Sequence, residues 1–487
     1  MIFNSTKFIL IFLPTVFFVY FTLNRLRFIT AGKAWLVVAS LIFYGYWSVA
    51  FIPLLLLSIT VNYLIGHRLA SHQRPSKTIL VVGISLNLIL LAYFKYTNFF
   101  IDNINTFTST NLFIEQIALP LGISFYTFTQ IAFLVDCYRK LAKDLSFINY
   151  ALFVTFFPHL IAGPILHHKE MMGQFQSRWT LVVRSRNVWM GLFVFSIGLF
   201  KKVMIADTFA VWANAGFASG VEHDFYSAWS TSLSYTFQLY FDFSGYCDMA
   251  IGAALLFNIW LPLNFNSPYK SLDIQEFWRR WHITLSRYLR DYLYIPLGGN
   301  RCGSSRLYVN LILTFILGGL WHGASWLFII WGALHGGAIV VHRIWRQAGF
   351  SLPKWAAWLS TFLFVNTTWV FFRAHTLEDA VGILAGMVNI NSIQEISIRN
   401  SPTSSFAWGG VFSDRLLELL SPGLAVNLAP ITMIGVALFI ISQRNAHELT
   451  LQPNGAIKKP LFMCTLFSLA LYSILQSKSS TFLYFNF

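Results

Sequence analysis

Runs of apolar residues about as long as a bilayer is thick recur along this chain, and nothing constrains its fold more. They fall at 8–23, 34–48, 50–66, 78–94, 118–137, 187–205, 227–245, 307–320, 324–341, 355–372, 426–441 and 461–476. A helix crosses the hydrocarbon with about 20 residues, and shorter runs serve where the chain is re-entrant. Lipid offers no partner to a backbone N–H or C=O, so runs of this kind read as helices, not as open sheet. Only 11% of the 487 residues are charged and 56% are hydrophobic, against about 25% charged in soluble domains. The expected fold class is an all-α polytopic membrane protein with about 11–12 transmembrane helices.

Short basic loops separate these runs, which predicts one membrane-embedded domain over 1–487 with no soluble module. The first run follows Lys7 and lacks a small-residue cleavage pattern after it, so it is expected to be a retained helix. The excess of 34 Lys and Arg over 19 Asp and Glu gives +15, which in a membrane chain marks cytoplasmic loops and anionic headgroups and not nucleic acid. Arg25, Arg27 and Lys33, then Arg68, Arg74 and Lys77, then Arg139, Lys140 and Lys143 fall in loops that alternate as inner loops should. The same rule puts Arg343, Arg346, Arg444, Lys458 and Lys459 inside, Glu222, Asp224 and the 391–425 stretch outside, and both termini outside. Segments 147–166, interrupted by Pro158, Gly163 and Pro164, and 246–263 are apolar with inner-side flanks at both ends. They are expected to be re-entrant and to line a funnel in the cytoplasmic half. Cys137, Cys247, Cys302 and Cys464 have no paired spacing, which speaks against a zinc or redox centre.

The chemistry-bearing residues concentrate between 276 and 342. In EFWRRWHITLSRYLRDYLY (276–294), Trp278, His282, Leu285 and Leu289 share one helical face, and Arg280, Arg287, Arg290 and Asp291 spread over the rest. One reading is an amphipathic helix at the interface. The other aims His282 into a cavity whose cationic mouth, with Trp278, Arg279 and Arg280 on the donor side, attracts an anionic coenzyme A thioester. Composition favours the first.

In GGLWHGASW, Gly318, Gly319 and Gly323 bracket Trp321 and His322, which predicts a helix break with an imidazole at it. A histidine there either hydrogen-bonds a freed carbonyl or takes a proton from a hydroxyl nucleophile near neutral pH. Its apolar surroundings favour function. His282 on the cytoplasmic side and His322 beyond it read as successive points on one path through the membrane.

Gly332 and Gly336 around His335 read as a packing face. Asp242, Ser244 and Asp248 either orient a catalytic group or, the preferred reading, pair with Lys201 and Lys202. His159, His167 and His168 have no carboxylate or cysteine at ligand spacing, so no metal is expected. The final TFLYFNF (481–487) should be tucked into the protein or pressed at the interface as an aromatic anchor, with Tyr484 its nucleophile.

The stretches FFPHLIAGPI (156–165), DFSGYCDMAIG (242–252), FWRRWHITLSRYLRDYLYIPLGGNR (277–301) and GLWHGASWLFIIWGALHG (319–336) resemble the membrane-bound O-acyltransferase (MBOAT) family. The likeness is to its bacterial AlgI-like branch of alginate and peptidoglycan O-acetyltransferases, with the DltB proteins of teichoic acid D-alanylation as relatives. It covers the central half of the chain, with a core of about 118–345.

The resemblance implies an MBOAT fold around a central funnel. It implies an O-acetyltransferase with His322 as essential histidine, His282 as the second, and acetyl-CoA as cytoplasmic donor, and so reverses the bland reading of His282. It also implies a polysaccharide acceptor, a periplasmic or extracellular SGNH-type acetyltransferase partner and a bacterial inner-membrane location. The tail looks like the FIYFxF-type motif that ends AlgI-like chains, with Leu483 in place of isoleucine and Tyr484 in register as an acyl carrier. D-alanyl transfer, or a transporter for an anionic solute, are the competing expectations.

Overall fold

The computed structural model describes residues 1–113, 115–142, 145–395, 422–450, 458–476 and 482–483. These residues are helical or irregular and contain no strand. In chain order the principal helices are α1 (Phe8–Arg25), α2 (Ile29–Gly45), α3 (Val49–Ser71), α4 (Lys77–Thr108), α5 (Ile123–Tyr138), α6 (Phe147–Thr155), α7 (His168–Gln176), α8 (Ser185–Gly216), α9 (Phe225–Leu256), α10 (Ile274–Arg280) and α11 (Ile283–Leu289). They continue with α12 (Ser304–His322), α13 (Trp326–Gln347), α14 (Lys354–Arg373), α15 (Leu377–Val388), α16 (Pro422–Ser442) and α17 (Lys458–Gln476). Among the described residues eight helices are long and apolar enough to span a bilayer: α1, α3, α4, α8, α12, α13, α14 and α17. Two shorter apolar helices, α2 and the 430–442 part of α16, accompany them. The protein is a multi-pass, all-α membrane protein.

The expected spans at 118–137 and 227–245 are helices, α5 and part of α9, that do not reach the apolar standard of the eight. One boundary is corrected. Residues 246–256 are no separate re-entrant piece, because α9 runs unbroken for 32 residues, about 48 Å at the rise of an α-helix. Gly245, at the foreseen break, instead lets the helix approach another backbone: a Cβ there would lie 2.8 Å from the Gly198 carbonyl oxygen.

The described residues form two compact units, one of Met1–Phe195 with Met249–Leu263 and one of Ser196–Asp248 with Asn264–Leu483. In the first, the 147–166 segment is broken as expected. α6 has nine residues, about 13 Å and too short to cross. A single turn, Phe157–Leu160, follows it with Pro158 at its start. The Phe157 N–H freed by the break donates to the Ser40 hydroxyl on α2 at 3.0 Å, which is how buried irregular backbone is tolerated. Polar side chains inside this unit also find each other. Ser58 and Asn62 of α3 both donate to Gln130 of α5, and Asn87 of α4 donates to Asn62. Such bonds tie helices together where lipid gives apolar faces no reason to associate.

The second unit is built on the α12–α13 hairpin. Gly319 and Gly332 let these helices touch backbone to backbone, since a Cβ would stand 2.2 Å from the Phe328 oxygen at the first and 2.4 Å from the Phe315 oxygen at the second. α14 packs on α13 through the stacked indoles of Trp331 and Trp369, 5.7 Å apart. α9 joins α14 through Thr236, Ser232 and Asn366.

Candidate active site

His282 stands where the expected continuous amphipathic helix breaks in two. α10 begins with a reciprocal cap: Asp273 accepts the Glu276 N–H at 2.7 Å, and the Glu276 carboxylate accepts the Leu272 N–H at 2.8 Å. It ends when the Trp281 N–H closes on the Phe277 carbonyl. His282 then takes the left-handed conformation, φ 43° and ψ 51°, and α11 starts after it. A side chain with a Cβ holds that conformation only at a cost of about 1–3 kcal/mol, which the surroundings must meet.

They do so through Asn264. Its backbone carbonyl accepts the Ile283 N–H at 3.0 Å. Its side-chain oxygen accepts the Thr284 N–H at 3.2 Å and the Thr284 hydroxyl at 2.9 Å, and lies 3.1 Å from His282 Nδ1. An amide oxygen only accepts, so Nδ1 carries the proton and Nε2 the lone pair. Burial pushes this imidazole down to about 3 and keeps it neutral, the form that can take a proton. The single face of Trp278, His282, Leu285 and Leu289 therefore does not exist, because a pull from eighteen residues upstream outweighs local helical spacing.

His322 is the last residue of α12, ahead of an extended Gly323 and of Ser325, whose hydroxyl caps α13 by accepting the Leu327 N–H. The helix break falls where the glycines placed it. The imidazole is 4% exposed and lies edge-on to Trp331 at 5.3 Å and Phe372 at 5.2 Å, with Trp321 at 5.0 Å. Its centroid is 6.3 Å from that of His282. The two histidines, expected as successive points on a path, thus stand beside each other among aromatic rings. Two buried imidazoles so close, one with its tautomer fixed, can hold and move a proton in a place with little water.

His335 is differently placed. Its Nδ1 accepts the Trp278 indole N–H at 3.2 Å, and its Nε2 pairs with the Thr368 hydroxyl at 3.0 Å, which itself donates to the Val365 carbonyl. Both ring nitrogens are committed, so this histidine holds helices together. Trp278 is correspondingly buried against Phe315, Trp331 and His335, and its indole is a packing element. Arg279 is exposed. Arg280 pairs with Glu276 at 2.9 Å and donates to the Asn266 carbonyl, so its charge is already shared.

Asp242, Ser244 and Asp248 are buried on α9. Lys201 pairs with Asp248 at 2.7 Å, and Lys202 lies 2.5 Å from Asp242 and 2.8 Å from Asp207. The preferred pairing with the lysine doublet is what the side chains make. A turn of wide π-helix at Lys201–Ala206 presents the doublet. Tyr484 lies outside the described residues. Among the described residues no three His, Cys, Asp or Glu side chains gather as a metal site. His168 packs on Phe133 and Phe153, and burial pushes His159 down to about 4. Sequence reasoning misses Asn264, although it is one of two amides in LPLNFN, polar groups in apolar company.

Residues 76–377 match the model of MBOAT, the membrane-bound O-acyltransferase family. Over its whole length the chain is 45% identical to the peptidoglycan O-acetyltransferase of Helicobacter pylori, of which 98% is covered. It is 37% identical to the probable alginate O-acetylase AlgI of Pseudomonas aeruginosa, with all of both chains covered. The likeness to the teichoic acid D-alanyltransferase of Streptococcus thermophilus is 28%, over 52% of this chain and 67% of that one. With its paired buried histidines on a multi-pass helical frame, the chain belongs to the membrane-bound O-acyltransferase family and is an acyltransferase.

Proposed function

We propose that this protein is an inner-membrane O-acetyltransferase. It takes acetyl from acetyl-CoA on the cytoplasmic side and passes it across the membrane for O-acetylation of a polysaccharide of the peptidoglycan or alginate type. The single observation that carries the reading is the 6.3 Å approach of the two buried rings of His282 and His322. Relatives named for O-acetyl transfer to those two glycans, matched from end to end, support the acetyl group and the class of acceptor.

His322 is the base and Tyr484 the transient carrier. His322 takes the phenolic proton of Tyr484, and the phenolate oxygen attacks the thioester carbonyl. The C–S bond breaks, and the coenzyme A thiolate leaves with the proton returned by the imidazolium. The acetyl ester on Tyr484 then passes to a hydroxyl acceptor on the outer side, by way of an SGNH-type partner enzyme, and the phenol is restored. His282 is the second histidine of the site, kept neutral and oriented by Asn264. The exposed Arg279 supplies a cationic approach for the phosphorylated donor.

Turnover of radiolabelled acetyl-CoA by the purified protein tests this reading. Release of coenzyme A by wild type and its loss in His322→Ala are expected. Equal release by the variant would overturn it.

A further inference from the structure

The buried carboxylates of α9 are held by lysines of α8. Two ammonium groups, Lys201 and Lys202, face three carboxylates, Asp207, Asp242 and Asp248, and Lys202 is shared between Asp207 and Asp242. A buried carboxylate needs donors for both its oxygens. Lys202 serves one oxygen of Asp242, and the other accepts the backbone N–H of Leu483 at 2.9 Å. The residue before it, Phe482, is 2% exposed and stacks on Tyr246 at 4.4 Å and 22°. Phe482 also meets Phe243 at 5.9 Å, and Phe243 lies edge-on to the His282 ring at 4.9 Å. One turn of α9 (Asp242, Phe243, Tyr246) thus holds Phe482 and Leu483 and touches an active-site histidine.

We propose that Asp242, held by Lys202, is a positioning residue that holds the end of the chain through the backbone N–H of Leu483, and that the Tyr484 step depends on that hold. This rests on the proposed role of Tyr484 as carrier. Peptide geometry keeps consecutive Cα atoms about 3.8 Å apart, so fixing the Leu483 amide restricts where the next residue reaches. Recognition through an N–H is blind to the side chain, which accounts for leucine standing at 483 where the resembling motif has isoleucine. A charge-assisted bond inside the protein is also stronger than a neutral one, so the carboxylate is the suitable acceptor.

The test is hydrogen exchange in the full-length protein, read on the peptide that ends the chain, together with acetyl-CoA kinetics. Asp242→Asn weakens the acceptor and turns an amide toward Lys202. Leu483→Pro removes the donor at the chain's edge and leaves the core untouched, so it serves if the first variant folds poorly. In both, exchange of the tail amides should rise about tenfold or more. The kcat should fall with it while KM for acetyl-CoA stays put, and Leu483→Ile should retain both protection and rate. Unchanged tail protection in both variants would overturn the docking and leave the proposed function standing. Released tails with wild-type kcat would instead overturn the Tyr484 step on which the inference rests.

Discussion

A histidine held in the left-handed region is costly enough that its cause must be visible nearby, and for His282 the cause is one asparagine. Asn264 supplies a backbone acceptor to Ile283 and a side-chain acceptor to Thr284 and His282 together. Removing its amide leaves a buried N–H and a hydroxyl without their acceptor, which costs about 1–3 kcal/mol. It also releases the tautomer of His282. Asn264→Ala should therefore lower the midpoint of thermal unfolding and cut acetyl-CoA turnover, whereas Asn264→Asp, which keeps the acceptor, should retain more of both. An alanine variant with wild-type turnover would show that the orientation of His282 is irrelevant.

At the scale of helices, the site hangs on how closely α12 and α13 approach. His322 ends one and Trp331 stands on the other, so any widening of the hairpin moves an imidazole away from its aromatic walls. Gly332 has the Phe315 carbonyl oxygen where a Cβ would be, and overpacking of this kind costs about 1–3 kcal/mol. Gly332→Val should lower both stability and turnover, as measured by thermal unfolding and coenzyme A release, while Gly337→Val on the same helix, where nothing lies within 4 Å of the added Cβ, should leave both near wild type. The two helix breaks also differ in how legible they were. GGLWHG announces the end of α12, because glycines act on their own backbone. The break at His282 was invisible, since WRRWHITL satisfies helical spacing and the competing acceptor is eighteen residues away. The re-entrant expectation for 246–263 rests on its flanks, and α9 instead runs on through Gly245, where the missing Cβ lets another backbone approach.

For the whole molecule, hydropathy and the spacing of basic loops conveyed the all-α membrane fold, because lipid penalises unpaired backbone so heavily that composition nearly decides architecture. Composition could not reveal that His282 and His322 come together, since forty residues of chain separate them. The residues mark both histidines, the resemblance gives His282 its role as the second of the site, and the fold brings the rings to 6.3 Å. The central claim is that these two imidazoles work as one catalytic unit. Residues that act as a unit give grossly non-additive losses, so a double-mutant cycle on acetyl-CoA turnover tests the claim most directly. His282→Asn and His322→Asn should each reduce turnover to near background, and the double variant should fall no more than about threefold further. Independent, multiplying losses, or a His282→Asn protein that turns over acetyl-CoA at the wild-type rate, would contradict it.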